Sequence, residues 1–283
     1  MTGSKGSAAL RGVAGLVGAA AFIAGALPAL AAGPILAGGT GSGSRLLQAL
    51  ADEYAKTARS AAIRVADPPL GSGGAIKAVK EGKLHLAISA RPLEGGERGG
   101  DLVEIELART PFVFASRNGV QPGGFSLGQL EAIYGGRLAN WDDGSPIRLI
   151  LRPSFDADTQ LLRSMSPGMD KAVPQALERK GMVVATSDIE ALEIIEHTPG
   201  SFGATTLGLV RLQNSGIKLI AVAGRMPGAK ALADGSYPWF KPLYLVTGRQ
   251  PPADLQAFLD FLRSPQAAEL LLRTEHLPAF HDK

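Results

Sequence analysis

Short apolar segments alternate with amphipathic stretches along most of this chain. Runs with the length and composition of β-strands lie at 33–37, 63–66, 84–89, 147–151, 202–205 and 217–223. The stretch 44–56 between two of them places Leu46, Leu47, Leu50 and Tyr54 at the spacing of one helix face. Strands that alternate with helices predict an α/β protein with a mostly parallel sheet.

The C-terminal part of the chain carries the clearest helix signals. Residues 253–263 place Leu255, Phe258, Leu259 and Leu262 on one face, and Pro265 begins a further helix to about residue 274. Dense glycine and proline at 94–100, 119–124 and 224–235 predicts loops.

The N-terminus has the pattern of a secretory leader. Lys5 and Arg11 precede an uncharged apolar run over 12–30, and small residues at Ala29 and Ala31 fit a cleavage site. The pattern predicts a signal peptide over 1–31, cleavage near Ala31 and a periplasmic protein. A retained membrane anchor is the alternative, because the run approaches the ~20 residues that span a bilayer.

Composition narrows the classes of partner. Removing Lys5 and Arg11 with the leader lowers the formal net charge from +3 to +1, so a nucleic acid or an anionic membrane is not indicated as a partner. The chain has no cysteine, which excludes disulfides and a lipid anchor on cysteine. About 250 residues remain after cleavage, enough for one large or two modest cores.

Three segments join a predicted strand to a predicted helix through glycine, serine or threonine. They are 38–44, 68–79 and 151–162, and in α/β proteins such helix starts bind anions. The first, GGTGSGS, has neither the Lys of a P-loop nor the third glycine of the dinucleotide fingerprint. Nucleotide binding is therefore not predicted, and no cofactor is indicated.

Residue patterns typical of catalysis are missing from the sequence. None of His85, His197, His276 and His281 stands in a metal-binding spacing, and no serine lies in G-x-S-x-G. We therefore predict a protein that is not an enzyme and has neither a catalytic nor a metal site.

Several longer segments occur in a recognisable order. They are LAGGTGSGS at 36–44, GSGGAIKAVKEGKLHLAISARPL at 71–93, FSLGQLEAIYGGRLANWDD at 125–143, YPWFKPLYLV at 237–246 and AFLDFLRSPQAAELLLRTEHLP at 257–278. Together they resemble the phosphate-binding periplasmic proteins of ABC transporters over essentially the whole mature chain. The most specific parts are 136–142, which is similar to a G-x-[IL]-x-N-W-x signature, and 237–246.

The resemblance implies a class II periplasmic binding protein with two α/β lobes. Each lobe is expected to have a mostly parallel sheet flanked by helices, and a two-stranded hinge is expected to join the lobes. Lobe 1 would take 32–115 and 226–283, and lobe 2 would take 116–225, with crossings at 110–116 and near Ile220. Such a protein is expected to be a monomer that closes on a small solute and presents it to a membrane permease.

The resemblance also implies a set of ligand-binding residues. Thr40, Gly41 and Ser42 match the first phosphate loop, Ser72 and Gly73 match the second, Ser89 lies in the third, and Arg152 begins the fourth. Ser72 has an alternative role as a plain helix N-cap.

Two of these loops depart from the family pattern. Ala90 stands where the family commonly has Asp or Ser, and Asp156 and Asp158 stand where R-x-x-G-S-G-T has hydroxyl donors. Two carboxylates facing the cleft would repel a phosphate dianion, so weak or no binding of free phosphate is predicted. Alternatively, the two aspartates cap the next helix and point away from the cleft.

The leading hypothesis is therefore a periplasmic solute-binding protein of the phosphate-binding type with a degenerate fourth loop. The alternative is the same fold without an uptake role, acting as a periplasmic sensor or protein-interaction partner. An enzyme on this scaffold is a third hypothesis, which the missing catalytic patterns disfavour.

Overall fold

The computed structural model describes residues 1–3, 33–57, 61–98, 100–119 and 121–279. The predicted signal peptide and its cleavage site fall almost entirely on residues 4–32, outside the described residues. All helices and strands below belong to the compact unit Ala32–Lys283. No helix in the described ranges is both long enough and apolar enough to cross a bilayer.

In chain order, the elements are β1 (Ile35–Gly39), α1 (Gly41–Tyr54), β2 (Ile63–Val65), α2 (Gly71–Lys80), β3 (Leu86–Ser89), a 3-10 turn (Gly95–Glu97), β4 (Leu102–Ser116), α3 (Leu127–Tyr134), β5 (Arg148–Leu151), α4 (Ala157–Ser164), α5 (Pro167–Glu178), β6 (Val183–Val184), α6 (Asp188–His197), β7 (Ser201–Thr206), α7 (Leu207–Leu212), β8 (Lys218–Ile220), α8 (Ala229–Ala233), β9 (Phe240–Gly248), α9 (Ala253–Phe261), α10 (Pro265–Arg273) and β10 (Leu277–Pro278). The chain is thus mixed α/β, as the alternating pattern predicts.

The first half of the sheet is built from β2, β1, β3 and β9. Strand β1 pairs in parallel with β2 and β3, and β3 pairs antiparallel with β9. A glycine is required at position 39, the end of β1, because the backbone of β3 lies so close that a Cβ there would be 2.0 Å from the carbonyl oxygen of Ile88. The tight β1–β3 contact places the start of α1 beside the end of β3.

The second half of the sheet has the same plan. Strand β5 pairs in parallel with β6 and β7, and β7 pairs antiparallel with the end of β4. In each half, parallel strands are therefore followed by helices, and antiparallel strands join the halves.

The long strand β4 links the two halves. Its residues from Leu102 to Pro111 pair with β9, and those from Phe112 to Ser116 pair with β7 and β8. The sequence hypothesis places a crossing near Ile220. Strand β8, which ends there, pairs with β4 in the second half, and the chain re-enters the first half at Phe240, opposite Pro111.

Each half has its own apolar core. In the first, Leu46, Leu47, Leu50 and Tyr54 of α1 are all buried, and the ring of Tyr54 lies 5.2 Å from that of Phe258. In the second, the rings of Phe114 and Phe202 stack at 5.3 Å. Two cores on one continuous sheet give the two-lobed class II architecture, with a cleft between the lobes.

Candidate functional site

The cleft between the two lobes is lined by the starts of four helices. Helices α1 and α2 belong to the first half of the sheet, and α4 and α6 follow β5 and β6 of the second. The cleft has a volume of about 1000 Å³. Because each helix follows a strand, backbone N–H groups and the positive ends of helix dipoles converge on this space.

The start of α1 already holds a carboxylate. Thr40 is the N-cap, and its Oγ1 accepts a hydrogen bond from the N–H of Gly43 at 3.1 Å. The N–H of Ser42 donates to Oδ2 of Asp188 at 2.8 Å. Asp188 is the first residue of α6, so this bond joins two helix starts across the cleft.

Asp188 is part of a buried ion network. Its Oδ1 lies 3.2 Å from Nζ of Lys241 and 3.5 Å from Nη2 of Arg152. Lys241 also pairs with Asp158, and Arg152 pairs with Asp156 at 2.5 Å. The side chains of Lys241, Asp158, Asp188 and Arg152 are at most 6% exposed. Three carboxylates and two cations therefore share one largely dry space, which leaves one excess negative charge when all are ionised.

Burial and neighbouring charge set the protonation of this network. Burial disfavours the charged form of Asp188, but Lys241, Arg152 and Ser42 outweigh it and hold its pKa below its ordinary value. Burial likewise opposes the charge of Lys241, whose pKa is nevertheless raised by Asp158 and Asp188. Burial, assisted by nearby Asp188, raises the pKa of Asp158 to about 7. Asp158 therefore takes up a proton before Asp188 does as the pH falls.

Contacts at the start of α4 and with Ala185 hold the side chain of Arg152 in place. Asp156 is the N-cap, and its Oδ1 accepts from the N–H of Asp158 at 2.9 Å. Nη1 of Arg152 donates to the carbonyl oxygen of Ala185 at 2.9 Å. Nε of Arg152 is buried and has no hydrogen-bond partner among the described residues.

The aspartates of α4 take different roles. Asp156 caps the helix and also lines the cleft beside Arg152. Asp158 is not a cap, because it is the second helical residue and its side chain contacts Lys241. The capping alternative thus describes Asp156, although Asp156 does not point away from the cleft, and it is wrong for Asp158.

The start of α2 has no such carboxylate. Its N-cap is Leu70, which makes no side-chain capping bond, and the first turn has no acidic residue. Oγ of Ser72 accepts from the N–H of Ala90 at 3.0 Å. The alternative that Ser72 is a plain N-cap is therefore wrong: Ser72 ties α2 to the loop after β3.

The loop after β3 is also held by hydrogen bonds among its own residues and those of the following 3-10 turn. Oγ of Ser89 donates to the carbonyl oxygen of Arg91 at 2.6 Å. Arg91 makes two hydrogen bonds to Glu97, at 2.7 and 2.9 Å. These bonds fix the wall of the cleft that faces α2.

The structure brings most of the predicted ligand-binding residues together. Those that line the cleft are Thr40, Gly41, Ser72, Gly73, Arg152 and Asp156. Ser42, Ser89 and Asp158 are buried beside it. Their roles toward a ligand stay predictions.

Sequence reasoning missed Asp188 and Lys241. Asp188 follows Ser187, which caps α6, and S-x-x-E at 187–190 is a signal for a helix start. Lys241 lies inside the segment 237–246 that carries the family resemblance. Either signal could have added these residues to the candidate site.

The carboxylates of Asp156, Asp158 and Asp188 lie within 4.8 Å of one another, close enough to share a cation. Lys241 and Arg152 already supply positive charge to these oxygen atoms. We therefore describe the cluster as an ion-pair network and assign no metal to it.

Comparisons with known proteins agree with this architecture. Phosphate-binding protein PstS of Bacillus subtilis (strain 168) is 26% identical over 201 residues, which are 69% of this chain and 64% of that protein. The chain therefore spans less than two thirds of the length of this relative.

Solved structures share the fold. A structure from Clostridium perfringens with bound phosphate is similar with a TM-score of 0.71 and 17% identity, over 87% of this chain and 100% of that one. An ABC-type phosphate transport receptor from Vibrio cholerae gives a TM-score of 0.61 and 20% identity, over 86% and 99% of the two chains. Residues 24–266 match the model of the PBP superfamily domain. The chain belongs to the PBP superfamily.

Proposed function

We propose that this chain is a periplasmic solute-binding protein of the phosphate-binding type that serves the membrane permease of an ABC transporter. It captures a small solute bearing an oxyanion between lobe 1, residues 32–115 and 226–283, and lobe 2, residues 116–225. It acts as a monomer, without a cofactor and without catalysis. The PstS relative and the two structures with phosphate in their descriptions support this class of ligand and partner.

The observation that carries the proposal is that, of the four helices that begin at the cleft, only α2 has no side-chain cap among the described residues. The other helix starts in the cleft each have a capping side chain, namely Thr40 in α1, Asp156 in α4 and Ser187 in α6. Helix α2 has no capping side chain, and Gly71 to Gly74 at its start line the cleft. Unsatisfied N–H groups at a helix start attract an anion. The oxyanion of the solute therefore sits at Ser72 and Gly73.

The remaining cleft favours a solute larger than a bare oxyanion. Its volume of about 1000 Å³ lies at the upper end of the ~300–1,000 Å³ of small-molecule sites. Leu70 and Phe155, which are 44% and 86% exposed, line it from the two lobes. The acidic network adds acceptors for a donor group. The solute thus carries an apolar or hydrogen-donating part beside its oxyanion.

Calorimetric titration of the mature protein tests this proposal. The panel contains inorganic phosphate, sulfate, and phosphate monoesters and phosphonates with amino or aromatic groups. We expect an organic oxyanion to bind more tightly than inorganic phosphate. A protein that binds no solute of the panel would contradict the uptake role.

A pair of variants then tests the place of the oxyanion. Gly73→Asp puts a carboxylate at the start of α2, where an added Cβ would lie 3.8 Å from Nη2 of Arg91 and meet no other described residue within 4 Å. Gly128→Asp makes the same change at the start of α3, where an added Cβ meets none of the described residues within 4 Å. The first should weaken binding at least ~10-fold by charge repulsion, and the second should leave it unchanged. Equal affinities would place the oxyanion elsewhere.

One observation favours the second candidate, a sensor or protein-interaction partner. The anion position at the start of α1 is filled by Asp188 of the chain itself, so the lobes are held together without any solute. Absence of binding across the panel, together with capture of a periplasmic partner by the wild-type protein, would favour that candidate over uptake.

A further inference from the structure

A carboxylate of this chain lies where the first phosphate loop is expected to hold its ligand. The family resemblance implies Thr40, Gly41 and Ser42 for that loop, and a helix start of this kind attracts an anion. In the structure, the Ser42 N–H donates to Asp188 at 2.8 Å. Lys241 and Arg152, the cations that an incoming oxyanion would use, lie 3.2 and 3.5 Å from the same carboxylate.

The packing around Gly41 brings the start of α6, which carries Asp188, against the start of α1. A Cβ added at Gly41 would lie 3.1 Å from Cβ of Asp188 and 3.2 Å from its backbone nitrogen. The glycine lets the start of α6 approach the start of α1 closely. Asp188 is only 4% exposed, so the contact is a buried element of the fold and not a surface ion pair.

We propose that Asp188 is the specificity-determining residue of the cleft: it occupies the oxyanion position at the start of α1 and thereby excludes free phosphate. This inference rests on the proposed function, and it explains why the solute uses the start of α2. To enter the α1 position, a phosphate dianion would have to displace Asp188 or share the space with it.

Charge repulsion gives the size of the expected effect. Two unit charges of like sign at ~4 Å and an effective dielectric of ~20 repel enough to lower an affinity by roughly a thousandfold. Asp156 and Asp158 would still oppose phosphate after Asp188 is removed, while Ser42, Lys241 and Arg152 would be released to bind it. We therefore expect removal of Asp188 to strengthen phosphate binding at least ~100-fold.

A purely structural role for Asp188 gives a different result. If the carboxylate served only to neutralise Lys241 and Arg152, its removal would lower stability and leave phosphate binding as weak as before. Gain of a new ligand is a readout that lost packing or lost ion pairing does not produce.

The test is calorimetric titration of inorganic phosphate into wild type, Asp188→Ala and Asp188→Asn, with folding checked by circular dichroism. Asp188→Asn has nearly the same shape without the charge, so it remains informative where Asp188→Ala unfolds. Asp254→Ala, which removes an aspartate from the first turn of α9, is the matched control. We expect a gain of at least ~100-fold in Asp188→Ala, a smaller gain in Asp188→Asn and none in the control.

Two results would overturn the inference. One is a folded variant of Asp188 that binds phosphate no better than wild type. The other is a wild-type protein that binds phosphate as tightly as the variants. Binding of an organic oxyanion by wild type without a phosphate gain in the variants would refute the role of Asp188 and leave the uptake role standing. A phosphate gain in the variants of a wild-type protein that binds no solute would refute uptake and support the role of Asp188.

Discussion

Lys241 is the cation on which the buried network depends, and Lys241→Met removes its charge while keeping most of its apolar length. The side chain is 1% exposed and contacts both Asp158 and Asp188. Breaking a buried ion pair by removing one partner costs about 3–5 kcal/mol, because the other charge stays buried without compensation. We expect a loss of that size at pH 8, which lies above the pKa of about 7 of Asp158.

The same variant should lose less stability at pH 5. Asp158, whose pKa is raised to about 7, is protonated there, and removal of Lys241 raises that pKa further. Protonation of Asp158 removes one of the two carboxylates that Lys241 neutralises, so the loss of Lys241 leaves less uncompensated charge. The difference in free energy of unfolding between wild type and variant should therefore shrink as the pH falls from 8 to 5.

Urea unfolding at both pH values measures these differences. Lys171→Met is the control, because Lys171 is exposed on α5 and its loss should change stability by less than about 0.5 kcal/mol. Adding Asp158→Asn to Lys241→Met should restore part of the loss at pH 8. A loss below about 1 kcal/mol at pH 8, or an equal loss at both pH values, would refute the buried ion network as described.

Three further predictions follow from the same contacts. The raised pKa of Asp158 means that the folded state binds this proton more tightly than the unfolded state does. Relative to Asp158→Asn, wild type should therefore lose about 2 kcal/mol of stability as the pH rises from 5 to 7. Parallel profiles of unfolding free energy against pH for the two proteins would contradict this. Phe155→Ala should leave the urea midpoint unchanged, since Phe155 is 86% exposed, yet weaken aromatic oxyanions more than aliphatic ones; equal effects in titration would exclude its contact with the solute. Since the Asp188–Ser42 bond joins the two lobes, Asp188→Ala should increase the radius of gyration of the solute-free protein in small-angle scattering, and an unchanged radius would show that the bond does not hold the lobes together.

Much of the fold could be predicted because it is specified locally. The apolar runs at 33–37, 63–66 and 147–151 overlap β1, β2 and β5, and the periodic stretches at 253–263 and after Pro265 overlap α9 and α10. In β1, β5, α9 and α10, strand composition or helical spacing agrees with the burial that the element receives, whereas β2 is only partly buried. The loop predicted at 224–235 is wrong in part, since α8 forms within it; five residues are too few for a periodic signal.

The site could be predicted only in part, because its decisive contacts join residues far apart in the sequence. The strand–glycine–helix pattern located Thr40, Ser72 and Arg152, whose positions depend on local chain geometry. Strand β6 has only two residues, which is too short to give a strand signal in the sequence. Because the strand was not predicted, the start of α6 after it, which carries Asp188, was not predicted as part of the site. The contact of Asp188 with Ser42, 146 residues away, depends on how the two lobes meet, which no local pattern encodes.

A crystal structure of the wild-type protein with the tightest solute of the titration panel tests the central claim most directly. We predict that the oxyanion accepts hydrogen bonds from the backbone N–H groups at Ser72 and Gly73, while Asp188 stays on the N–H of Ser42. An oxyanion bound to Ser42, with Asp188 displaced, would contradict the claim.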